Sequence, residues 1–227
     1  MKHYKQELQR VNSYIKTHIL DNVTNPILKD IITHALDGGK RLRSILVIVI
    51  GNKLNKKVNL EKLASSIELF HTCSLIIDDM PCMDNDHYRR GKETLHFKYG
   101  ITNAQLIVQI LLKLAFKLLC TNIQDIKCQN IYDDKSLDNI AIEIYKNINK
   151  NMGVLGASGG QFIDTCPINS FITKNEYKKN YKSLDKLLNL IYLKTTTFFE
   201  ISFVAAYLLS GGNQKNLDKV FYWFSKF

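Results

Sequence analysis

Residues 60–84 read LEKLASSIELFHTCSLIIDDMPCMD, an apolar run that closes on Asp78, Asp79, Pro81 and Asp84. Apolar or small side chains recur at Leu63, Ile67, Phe70, Ser74 and Ile77, the repeat of a helix that faces a core. His71 precedes Asp78 by two helical turns and so shares its face. In an unbroken helix Asp78 and Asp84, six residues apart, would point about 120° away from each other. Pro81 ends or bends a helix by removing a donor and crowding the preceding turn, which lets Asp84 fold back toward Asp78. Carboxylates gathered at a helix end repel one another unless a hard cation with oxygen ligands sits among them. Mg2+ is such an ion, and it divides its sites between one or two carboxylates, waters and substrate phosphates.

Working outward, the cations fall where an anion would need them. Arg89 and Arg90 follow in RRGKET, and guanidinium forks suit phosphate oxygens. Upstream, GGKRLR places Lys40, Arg41 and Arg43 at a predicted helix start, where free N–H groups also favour anions. Either cluster alone is a weak signal. Beside the carboxylates and the apolar helices, they describe a diphosphate handled by metal and cations, with room for a greasy tail.

The rest of the chain reads as helix. Its 227 residues contain three prolines and eleven glycines, and 45% are hydrophobic, which favours long elements around a substantial core. Helices are predicted over residues 5–20, 26–37, 40–54, 60–79, 136–151, 154–165 and 184–210, with a short last one from Leu217. Residues 121–139 are polar and aperiodic and are expected to be a connection, with Asp133–Asp134 as a capping feature. The stretches AQLIVQILLKLAFKLLC and TTTFFEISFVAAYLLSG are interrupted by Lys113, Lys117 and Glu200 and are expected to be core helices rather than membrane spans. The N-terminus MKHYKQELQR lacks the apolar segment of a signal peptide. The five cysteines show no C-x-x-C spacing, as free thiols in a reducing compartment would. A cytoplasmic protein is expected. The formal net charge of +10 is spread along the chain and comes with no aromatic–basic motif, so it does not indicate nucleic acid.

These residues resemble the all-trans polyprenyl diphosphate synthases, the farnesyl and geranylgeranyl diphosphate synthase family. DDMPCMD at Asp78–Asp84 resembles the first aspartate-rich motif of that family in its longer form. GGKRLRS is similar to the family's GGKRLRP, with Ser44 in place of proline. GGQFID at Gly159–Asp164 resembles GGQ-x-x-D, and Lys194–Thr195 the Lys-Thr pair on a later helix. The resemblance implies an all-α helical bundle of the isoprenoid synthase type, as one polyprenyl synthase domain over residues 1–227. It implies Mg2+ held by Asp78, Asp79 and Asp84, and condensation of isopentenyl diphosphate with an allylic prenyl diphosphate. Lys40, Arg43, His71 and Arg90 match positions that bind isopentenyl diphosphate. Arg89, Gln161 and Lys194 match those facing the allylic diphosphate, with Thr195 beside them. Asp78, Asp79, Asp84, Arg89 and Lys194 are thereby the expected catalytic set. A homodimer is expected on the same ground.

The sequence departs from that pattern in places. The family's second aspartate-rich motif follows the Lys-Thr pair, whereas the acidic residues after Asp164 here are Glu176, Asp185, Glu200 and Asp218, none adjacent. The expectation is a bundle shortened at its C-terminal end. The alternative reading is a catalytically inactive or regulatory relative, acting on a heteromeric partner. Val108–Gln109 stands where relatives carry Gly-Asp and reads as a packing change. Cys73 and Ser74 occupy the region where a bulky aromatic can block chain growth in the family, which favours geranylgeranyl over farnesyl diphosphate as product.

Overall fold

A computed structural model describes residues 4–165, 184–217 and 219. The predicted all-α architecture is what it shows, with one two-residue antiparallel ladder, β1 (Tyr88–Arg89) on β2 (Lys92–Glu93), among the described residues. In chain order the first helices are α1 (Lys5–Tyr14), extended by a π turn at Ile15–Ile19, then α2 (Pro26–Leu36) and α3 (Leu42–Leu54). Asn25 starts α2 by accepting the Leu28 N–H at 3.0 Å, and Pro26 sits at its first position, where a missing N–H is harmless. Then come α4 (Glu61–Asp79), the short α5 (Leu95–Tyr99) and α6 (Ile101–Cys128). After these, α7 (Asp134–Met152), α8 (Ala157–Thr165), α9 (Leu184–Ile191) and α10 (Thr197–Leu209) complete the set, with a π turn, Tyr192–Thr196, joining the last two.

Helix α4 is buried on nearly every side, which makes it the central element of the bundle. Its largest neighbour, α6, presents a single stripe to it: Ala104, Ile107, Leu111, Ala115, Leu119 and Ile126 are all at most 1% exposed. Each fully buried Leu or Ile of that stripe contributes about 1.5–3 kcal/mol. Polar groups fix the register. Asn122 of α6 accepts the Leu63 N–H at 2.8 Å and donates to the Asn59 carbonyl at 2.8 Å, so it caps α4 from another helix. Ser66 donates to the Ala115 carbonyl at 2.7 Å.

These bonds correct one expectation. Residues 121–128 are the last two turns of α6 rather than connection, because Asn122 and Ile126 are buried against α4. Only 129–133 form the link, and Asp133 then caps α7 by accepting the Ser136 N–H at 2.9 Å, as expected. The two apolar helices Ile101–Cys128 and Leu187–Leu209 are each long and apolar enough to cross a membrane. Each also packs on the bundle, the first on α4 and the second on α3 and α7. The short helix expected from Leu217 lies beyond the described residues except for its first positions.

Candidate active site

Helix α4 stops at Asp79, and Pro81 follows Met80 at its end. The chain turns at once: the Asp84 N–H donates to the Asp78 carbonyl at 2.9 Å, and the Asn85 N–H to the Met80 carbonyl at 3.1 Å. Asn85 completes the turn in the left-handed region (φ 54°). The reversal expected from Pro81 therefore takes place, and Asp84 returns to the end of α4 that carries Asp78. Burial raises the Asp78 carboxyl above the ordinary carboxylate range; Lys194 opposes this and Asp84 adds to it. Asp79 is raised too, first by burial and against the pull of Arg89. Its Oδ1 accepts from Arg89 Nε at 2.6 Å and lies 2.5 Å from Nη2.

That pairing separates the three expected metal ligands. Asp79 is engaged by Arg89, while Asp78 and Asp84 share the turn. No group of three or more His, Cys, Asp or Glu converges as a ready-made metal cage among the described residues. Two carboxylates fit a Mg2+ ion that draws its other ligands from water and a diphosphate, and a divalent cation would relieve the repulsion that Asp84 exerts on Asp78.

Beside Asp78 opens a cavity of about 440 Å3. Asp78, Gln161 and Lys194 supply polar lining, and Phe70, Cys73, Ile77, Val108, Leu112 and Phe198 apolar walls. From Asp78 to Phe70 it follows two turns of α4, about 12 Å at 1.5 Å per residue. Gln161 points its amide at Met83 Sδ, 3.9 Å away. Lys194 forms an ion pair with Asp164. Thr195, on the same π turn, is exposed.

A second cavity, about 400 Å3, is lined by Lys40, Arg43, His71 and Arg90 together with Arg41 and Glu68. The four residues expected to bind one substrate thus converge from α3 and the segment leading into it, from α4 and from the β hairpin. Gly39 makes the convergence possible: it has φ +87°, and a Cβ there would lie 2.5 Å from Arg90 Nη1. Arg43 Nη1 stands 3.2 Å from His71 Nε2, and its guanidinium lies 4.3 Å from the Phe199 ring centre. Burial, then Arg43, depresses the His71 pKa to about 4, with Glu68 opposing. His71 is therefore neutral at pH 7, with Nε2 accepting from Arg43. Arg43 Nε and His71 Nδ1 are buried without a hydrogen-bond partner, as expected of groups whose partner is a ligand.

Arg41 behaves differently from its neighbours. It turns inward with φ 51°, is 7% exposed, and pairs with Glu68 Oε1 at 2.8 Å. It also donates to the Leu36 carbonyl and to Asn12 Oδ1. Ser44 donates to the other Glu68 oxygen at 2.9 Å. Sequence reading placed Arg41 among the anion-facing cations; the partner that claims it, Glu68, is 27 residues away and carries no local signal. Phe198 was missed as well. It lines the apolar cavity and also lies 6.1 Å from the His71 ring and 5.8 Å from the Arg43 guanidinium, so it stands between the two cavities. Val108, read as a packing change, forms part of the apolar wall, and its carbonyl accepts from Cys73 Sγ at 3.5 Å.

The sequence model of the polyprenyl synthetase family matches residues 25–226. The farnesyl diphosphate synthase of Buchnera aphidicola subsp. Schizaphis graminum is 32% identical over 183 residues, 80% of this chain and 56% of that protein. Geranylgeranyl pyrophosphate synthase 4 of Arabidopsis thaliana is 32% identical over 186 residues, 82% of this chain and 45% of that protein. The chain thus spans about half the length of these relatives. Among solved structures, an FPP/GFPP synthase from Zymomonas mobilis superposes with a TM-score of 0.76 at 27% identity, over 98% of this chain and 75% of that one.

Proposed function

Because the chain belongs to the polyprenyl synthetase family, we propose that it is a short-chain trans-prenyl diphosphate synthase, joining isopentenyl diphosphate to an allylic diphosphate. The observation that carries this reading is the pair of adjoining cavities, one cationic and one apolar with a carboxylate-bearing rim, on either side of Phe198.

In this reading the residues divide the work by their surroundings. Lys40, Arg43, His71 and Arg90 bind the diphosphate of isopentenyl diphosphate, with neutral His71 keeping Arg43 oriented. Arg89, Gln161 and Lys194 receive the allylic diphosphate, and Thr195 flanks them. Asp78 and Asp84 would hold Mg2+, which when bound would supply positive charge against that of a departing diphosphate; Asp79 serves through Arg89, which it orients. The carbon–oxygen bond of the allylic substrate breaks, and the electron pair leaves with the diphosphate. The double bond of isopentenyl diphosphate then forms the new carbon–carbon bond, and a proton is lost from the adduct. The apolar walls exclude water that would quench the allylic cation. Cys73 and Ser74 leave space for a growing chain, favouring geranylgeranyl over farnesyl diphosphate. We read residues 1–227 as one such domain, acting in the cytoplasm as a homodimer with its two apolar helices as core elements.

Incubating the purified protein with Mg2+, isopentenyl diphosphate and geranyl or farnesyl diphosphate tests this. Longer prenyl diphosphates are expected; absence of any product above background rejects the reading.

A further inference from the structure

Lys194 lies on the π turn Tyr192–Thr196. Such wide turns bond less regularly than an α-helix and cluster at functional sites, so what holds this one is informative. On one side α8 comes unusually close: a Cβ on Gly160 would lie 2.8 Å from Leu193 Cβ and 3.3 Å from Lys194 Cγ. On the other side the Tyr192 hydroxyl donates to Glu200 Oε2 at 2.9 Å, across the turn and into α10. Glu200 is 6% exposed. A carboxylate so buried is costly unless paired, and here it is fully engaged. Asn147 of α7 donates to its other oxygen at 3.1 Å, and Lys150 of α7 stands 3.7 Å away. The pair thus ties the turn to α7 through a buried charge.

We propose that Tyr192 and Glu200 are positioning residues: their hydrogen bond, opposed by the close approach of Gly160, sets the turn that directs Lys194 into the apolar cavity's polar rim beside Asp78. This rests on the reading that Lys194 receives a diphosphate there. The Tyr192 hydroxyl suits the task, because burial and Glu200 push its pKa up to about 12 and it remains a donor throughout the working pH range.

Tyr192→Phe removes the hydroxyl and keeps the ring; Glu200→Gln is a second variant that keeps the shape. With inorganic pyrophosphate and Mg2+ as the probe, Tyr192→Phe is expected to weaken binding about tenfold, the size of one hydrogen bond to a charged group. Added to Lys194→Ala, it should cause no further loss. An equal loss in both backgrounds would mean a merely structural role and overturns the proposal, as does no loss in either. A second readout needs no ligand. Labelling of Lys194 by an amine-reactive reagent, followed by mass spectrometry, should accelerate several-fold in Tyr192→Phe and Glu200→Gln and stay unchanged in Tyr145→Phe, a tyrosine of α7 whose hydroxyl meets Cys120 Sγ instead. An unchanged rate in the first two also overturns it. If the wild-type protein bound no pyrophosphate, the diphosphate reading would fall, while Lys194 labelling would still decide whether the turn is held this way.

Discussion

The Asp84 amide reaches back over Pro81 to the Asp78 carbonyl, 2.9 Å away, and that single backbone bond converts a linear acidic motif into a pair of neighbouring carboxylates. Each should then matter separately for metal-dependent turnover. Asp78→Asn and Asp84→Asn are expected to lower kcat/KM about 10²–10³-fold, the range for removing one electrostatic stabiliser of a developing charge. Steady-state kinetics over a Mg2+ series would show it, and chelation by EDTA should abolish product formation in the wild type.

Cys73 lines the apolar cavity a little more than one turn before Asp78, with Phe70 the next turn on. Cys73→Phe would place a ring across that space. The longest product should shorten by at least one five-carbon unit; because Cys73 is itself buried, the larger ring should also lower stability by about 1–3 kcal/mol. Chromatography of dephosphorylated products decides it, and an unchanged length would place the floor elsewhere.

Glu68→Ala would leave the buried Arg41 guanidinium without its carboxylate. Breaking one side of a buried ion pair costs about 3–5 kcal/mol, so thermal unfolding should drop sharply. Glu68→Gln keeps an acceptor for Arg41 and should lose clearly less. Equal melting temperatures for the two variants would contradict the buried-pair account.

His71 gives the stability a pH signature. Its folded pKa, about 4, lies below its unfolded value of about 6.5, so the unfolded chain binds the proton first. The stability due to neutral His71 is complete above pH 6.5 and is lost as the pH falls toward 4, amounting to about 3 kcal/mol over that window. Denaturant unfolding at stepped pH should show this slope, and His71→Gln should flatten it. Excess pyrophosphate should flatten it too, because a bound anion favours the imidazolium.

Much of this was legible in the residues. The helical repeat through Leu63, Ile67, Phe70, Ser74 and Ile77 and the proline after Asp79 carried both the central helix and the returning Asp84, because these are local effects of spacing and backbone chemistry. Arg43, His71 and Arg90 were placed together by resemblance, and the structure brings them to one cavity. What escaped notice depends on distant partners. Arg41 differs from Arg43 only in what it meets after folding, a glutamate on another helix. Asn122 reads as a break in an apolar run until Leu63 and Asn59 are seen beside it. Phe198 is an ordinary apolar residue in a long apolar helix, and only the packing of α10 on α3 and α4 gives it a place in the site.

Phe198 is one ring with two tenants. The ring that lines the apolar cavity is the same one that lies 5.8 Å from the Arg43 guanidinium and 6.1 Å from the His71 ring. A smaller side chain at this wall would thin the partition between the two chambers.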